Sequence, residues 1–192
     1  MKFIIDNLEP GLILAGRNEH SRFGKGIRAC LGSFTNHNGL FVKDEKVGWC
    51  VGEAIQPVSC LTPVASYQRE CDHHGYEVRV WRVKAADDDS RAFAAYYFAH
   101  NLLGLRYADH SIAKLALFRI VNNIPWRLHI HGVWCTELVQ MAWTEATKKA
   151  KDNPFLKPNG KMKKNPTPRT VENRLVAGVL EDVTDHVVDP ET

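Results

Sequence analysis

Residues 132–142, GVWCTELVQMA, decide the reading of this chain. Leu138, Val139, Ala142, Trp143 and Ala146 follow Cys135 at spacings of three and four, the rhythm of a helix with one buried stripe. Cys135 therefore falls in the first turn. The N–H groups of a first turn have no partner within the helix, and the positive end of the helix dipole lies there, so thiolate is favoured over thiol. A cysteine so placed is a candidate nucleophile rather than a small core residue.

A thiol nucleophile needs a histidine to take its proton and a polar group to hold that imidazole in the useful tautomer. Residues 37–42 and 49–55 read as strands joined through the charged turn 43–46, a hairpin. His37 opens the first, in SFTNHNGLFV, directly before Asn38 and Gly39, where a small residue leaves room for close approach. Glu53 stands on the second, in VGEAI, sharing a face with Trp49, Val51 and Ile55. A carboxylate among such neighbours is partly buried and costly unless paired, and a histidine on the adjacent strand supplies a partner.

Elsewhere, 11–16 reads as a short buried strand after a Pro-Gly turn and 21–31 as a short helix. Residues 76–83, YEVRVWRV, alternate as a strand, with Val78, Val80 and Arg82 on one face and Glu77, Arg79 and Trp81 on the other. N-cap residues at 87–90 precede RAFAAYYFAHNLLG, a helix stopped at Gly104. A further helix is expected over 111–121, and the Cys135 helix is expected to run to about 150. Residues 151–168, rich in Lys, Pro, Asn and Gly, read as an extended surface loop, and 170–188 is expected to pack back on the domain. Strands first and helices after favour an α+β fold, one domain over 1–192 with its core at 8–147.

A chain of 192 residues can bury a core without metal or disulfide staples. Its 44% apolar and 24% charged residues exclude disorder, and a net charge of +3 is too small to imply nucleic acid. Lys148, Lys149, Lys151, Lys157, Lys161, Lys163 and Lys164 read as a solvated face. The N-terminal apolar patches are broken by Asp6, Glu9 and Pro10. There is no continuous signal-peptide core and no stretch long enough for a membrane span, so the expectation is a cytoplasmic protein. Five cysteines without a CxxC pair suit reduced thiols. His129, His131 and Cys135, with Cys71, His73 and His74, offer zinc-ligand types, but their spacing fits no standard structural zinc pattern, so no metal or other cofactor is expected. His129 and His131 are instead expected to border the cleft, and either is the alternative to His37 as base.

The order of these pieces is Pro10-Gly11 and a strand, then NHNGLFV, GEAI, GLRYAD at 104–109 and WCTELVQMAW. That order resembles the circularly permuted branch of the NlpC/P60 superfamily, papain-like cysteine hydrolases of the YiiX/YebB-like type, over residues 8–147. There an SHxGIxx strand supplies histidine, an EA strand a carboxylate, and a CSELV helix the nucleophile. The resemblance implies a papain-like antiparallel sheet or half-barrel packed against helices. It implies Cys135 as nucleophile, His37 as general base, Glu53 as its orienting group, and Tyr107 as a group polarising the substrate carbonyl. The backbone N–H of Cys135 would complete an oxyanion hole. Trp134, His131 and Asn38 are expected to line the substrate cleft. Thr136 stands where the family has serine, and Asn38 where an apolar residue is common.

The family's substrates imply an amide bond in a peptide or cell-wall peptide. With no export signal expected, access to a wall would come through a partner, lysis or a phage particle. Two alternatives stand beside this: acyl transfer or thioester hydrolysis on lipids, and a binding module that has lost turnover. Oligomeric state is not set by the sequence.

Overall fold

Apolar residues run almost unbroken through the middle of two strands, β2 (Ile13–Asn18) and β3 (His37–Asp44), and β6 (Tyr76–Val83) is buried on both faces toward Trp81. That is the signature of a sheet covered on both faces. The computed structural model describes residues 1–18, 20, 22–108, 133–147, 155 and 166–189. The helix expected at 111–121, His129, His131, Trp126 and most of the 151–168 loop lie outside the described residues.

With β4 (Gly48–Ala54), β5 (Ser59–Pro63) and β7 (Leu180–Asp182), these strands form a six-stranded sheet in the order β5-β4-β3-β2-β6-β7, every neighbouring pair antiparallel. A separate two-stranded pair joins β1 (Lys2–Phe3) to β8 (Val188–Asp189). Successive side chains point to opposite faces, so each strand feeds two cores. Ile13, Leu40, Val42 and Trp81 pack under α3 (Asp88–Asn101) and α4 (Cys135–Ala146), against Phe98, Leu138 and Trp143. Leu14, Phe41, Val51 and Val80 face the other way, against Phe3 and the Val64 and Tyr67 side chains of α2 (Val64–His74). Further α-helices among the described residues are α1 (Arg22–Leu31), α5 (Pro168–Val176) and α6 (Thr184–Val187). The architecture is α+β, as expected.

The strand at 76–83, the β3–β4 hairpin and the helix capped by Asp87, whose carboxylate accepts the Ser90 N–H at 2.8 Å, match the sequence reading. β2 begins two residues later than read, because the Gly11 N–H is spent on the Phe41 carbonyl in the preceding turn. α4 ends at Ala146, short of 150, where Thr147 leaves helical geometry. Both faces of 76–83 are covered at the Trp81 end, so that side chain is buried rather than exposed by its alternation. β5 and α2 were not legible in the pattern. Residues 168–189 do pack back: β7 pairs with β6, and β8 with β1.

Candidate active site

His37 opens β3, and the residue two positions on, Gly39, lies directly opposite Glu53 on β4. His37 and Glu53 are therefore diagonal neighbours on one face of the sheet, within reach of long side chains. Gly39 keeps the strands this close, since a Cβ there would overlap the Val51 side chain. His37 Nε2 meets Glu53 Oε2 at 2.6 Å.

Glu53 is only 3% exposed, so its charge needs donors. β5 and α2 supply two more. Thr62, diagonal to Glu53 across β4–β5, donates its hydroxyl to Oε1, and the Tyr67 hydroxyl descends from α2 onto Oε2. Burial alone would raise the acid's pKa, but the His37 hydrogen bond and charge, with the Thr62 and Tyr67 bonds, bring it below the usual carboxylate value. Burial and the Glu53 charge push the Tyr67 phenol well above its usual value, so it stays a donor.

Cys135 is the first residue of α4 and is 7% exposed. No side chain caps the helix start; the N-cap is Trp134. Glu137, in the first turn, reaches back to accept the Trp134 backbone N–H, half of a capping box. Thr136 Oγ1 donates to Asn38 Oδ1 at 3.0 Å, so the residue after the cysteine is pinned to the residue after the histidine. The Asn38 backbone N–H donates to the Cys135 sulfur.

Glu53 occupies Nε2 of the imidazole, which leaves Nδ1 for the thiol. Burial would raise the Cys135 pKa, yet the His37 charge and hydrogen bond, the Asn38 N–H and Thr136 together lower it. Burial would likewise lower that of His37, and the Cys135 charge and hydrogen bond, with those of Glu53, carry it instead up to about 10. Both directions favour thiolate and imidazolium over thiol and neutral imidazole. Other described thiols behave oppositely: burial raises Cys50 and Cys60, and lifts Cys71 to about 12.

The structure thus brings Cys135, His37 and Glu53 together. Tyr107 reaches the neighbourhood through its backbone, bridged to Val133 and donating its N–H to the Pro57 carbonyl at 2.9 Å. Trp134 is buried at the N-cap. Asn38 is a correction: its side chain is fully buried, between Thr136 and the Leu14 carbonyl, and lines no cleft. It lies on the opposite face of β3 from His37, as strand alternation demands. His131 lies outside the described residues.

Sequence reasoning missed Thr62, Tyr67 and Glu172. The Glu172 carboxylate accepts the Ser33 hydroxyl at 2.7 Å, and the Thr35 N–H and hydroxyl at 2.7 and 2.9 Å, tying α5 to the loop ahead of His37. Only the apolar spacing of Val64, Tyr67 and Cys71 hinted that Tyr67 faces inward. Among the described residues no group of three His, Cys, Asp or Glu side chains is arranged to hold a metal ion.

No family model and no curated protein matches the sequence. Among solved structures, the chain is similar to the metalloprotein yiiX of Escherichia coli O157:H7. The TM-score is 0.54 and the identity 17%, over 89% of this chain and 82% of that one. The chain therefore shares the fold of that protein.

Proposed function

We propose that this chain is a thiol hydrolase that cleaves an amide bond, in a peptide or cell-wall peptide, through an acyl-enzyme. The observation that carries the reading is the convergence of a first-turn cysteine, a histidine at the start of β3 and a buried carboxylate 2.6 Å from that histidine. The yiiX-like fold agrees with it.

In this reading the Cys135 thiolate attacks the carbonyl carbon, and the C–S bond forms as the C=O π pair moves onto oxygen. The Cys135 N–H at the helix start stabilises that oxyanion. The tetrahedral adduct collapses, and the leaving amine takes the proton of the His37 imidazolium. His37, now neutral, accepts a proton from water, which attacks the thioester and releases the acid and the thiolate. Glu53 holds the ring and its charge throughout. Tyr107, at the Val133 bridge beside the helix start, assists the substrate carbonyl.

The second reading, acyl transfer or thioester hydrolysis on lipids, draws on Ile55, Val58 and Leu103, which are exposed around the end of β4 and the C-terminus of α3. Among the described residues no helix is long and apolar enough to cross a membrane, so a lipid would be met at a surface or as a monomer. Incubation with a pool of cell-wall peptides and a panel of acyl lipids, read by mass spectrometry, separates the two. Paired products differing from a peptide by one water, absent with Cys135→Ala, support the amidase. Released or transferred fatty acyl groups favour the lipid enzyme. Turnover of neither leaves a binding module.

A further inference from the structure

Tyr76 opens β6 on the same face of the sheet as His37. Between them runs β2, whose residue at that level is Gly16, paired with His37 on one side and Val78 on the other. The Tyr76 ring leans across this glycine, and a Cβ at position 16 would overlap the phenol oxygen and the adjoining ring edge. The missing side chain lets the hydroxyl lie over β2, next to His37 on the side away from Glu53.

An edge-on contact with Tyr67, centroids 5.9 Å apart, fixes the ring, and Tyr67 is itself held by Glu53. Among the described residues the Tyr76 hydroxyl makes no hydrogen bond. Phenylalanine would fill the same space, so the fold gives the oxygen no structural task. Burial, with the negative charges of Glu53 and Cys135, pushes the phenol well above the usual tyrosine value, which keeps it a donor at any pH where the thiolate reacts. A partly buried donor with no hydrogen-bond partner among the described residues, beside the reacting pair, is placed to serve a substrate.

We propose that Tyr76 is a catalytic residue of the reaction set out above, a further oxyanion donor beside the Cys135 N–H and Tyr107, its hydroxyl bonding the carbonyl oxygen from over β2. The inference rests on the hydrolase reading. In acylation by an ester such as p-nitrophenyl acetate, the thiolate forms the C–S bond and the π pair moves to oxygen. Tyr76 stabilises that charge without giving up its proton, and collapse expels p-nitrophenolate.

Two reagents separate this role from a structural one, because alkylation by iodoacetamide passes through no oxyanion. In Tyr76→Phe, acylation of Cys135 by p-nitrophenyl acetate should fall by about 10²-fold. Alkylation of the same cysteine should stay within about twofold of wild type, since thiolate content sets its rate. Gly16→Ala, which drives the ring from its gap, should give the same split. Unchanged acylation in Tyr76→Phe overturns the proposal. So does a parallel loss of both reactions or of the folded state, which would make the hydroxyl part of the architecture. A wild-type Cys135 inert to both reagents refutes the hydrolase reading itself and takes this inference with it.

Discussion

Two buried carboxylates flank the start of β3, and their donors differ. Glu53 and Glu172 are 3% and 8% exposed, and each gathers several donors. Those of Glu172 are the hydroxyls of Ser33 and Thr35 and the Thr35 N–H, with Arg169 3.5 Å from its outer oxygen. None of these exchanges a proton near neutral pH, so Glu172 is a clamp joining α5 to the loop before His37. Glu53 has two hydroxyls as well, but its third partner is an imidazole that engages a thiol. Equal burial therefore supports two jobs, and the titratable partner separates them.

Exchanging single groups can break this contrast. The largest effect is expected from Glu172→Ala, which leaves three buried donors without an acceptor. Urea unfolding should show a loss of about 3 kcal/mol, while the folded protein labels at Cys135 within about twofold of wild type. Equal damage to stability and labelling would erase the distinction.

Glu53→Gln should invert the pattern. Without the carboxylate charge the imidazolium loses a partner, and its pKa moves from about 10 toward 6.5. Iodoacetamide labelling of Cys135 at neutral pH should then drop on the order of 10-fold. Stability should change by no more than about 1 kcal/mol, since the amide removes a buried charge while its oxygen still accepts a hydroxyl. The smallest effect belongs to Thr62→Val, which removes one donor from Glu53: about 1 kcal/mol in unfolding and a minor slowing of labelling.

Much of this site is legible in the sequence. The helical rhythm after Cys135 placed the thiol, and the hairpin alternation put Glu53 on an inward face beside a histidine strand, because both signals come from repeated apolar residues. What escaped depends on chain crossings rather than periodicity. Tyr67 sits in an eleven-residue helix dominated by Gln68, Arg69, Glu70, Asp72 and His73, whose inward stripe is too thin to announce itself. Glu172 meets Ser33 and Thr35 across more than 130 residues of chain. Asn38 misled because its neighbour is the base: adjacent strand residues point to opposite faces, so next to the histidine in sequence means away from it in space. Tyr76 belongs to the most legible strand of all, yet its importance lies in the glycine beside it on β2.

The central claim is a resting thiolate–imidazolium pair, tested by iodoacetamide labelling of every cysteine across pH 5–9, resolved by mass spectrometry in wild type and His37→Ala. A lowered thiol pKa moves the Cys135 curve to the acid side, with labelling lost only as pH falls through that value. Cys50, Cys60 and Cys71, raised by burial, should remain slow at pH 6. In His37→Ala the thiol should lose its counter-ion. A free thiol near pKa 8.5 is only about 0.3% ionised at pH 6, so labelling there should fall on the order of 10²-fold. Labelling of Cys135 no faster than that of Cys50, Cys60 and Cys71, or indifferent to His37→Ala, would contradict the account.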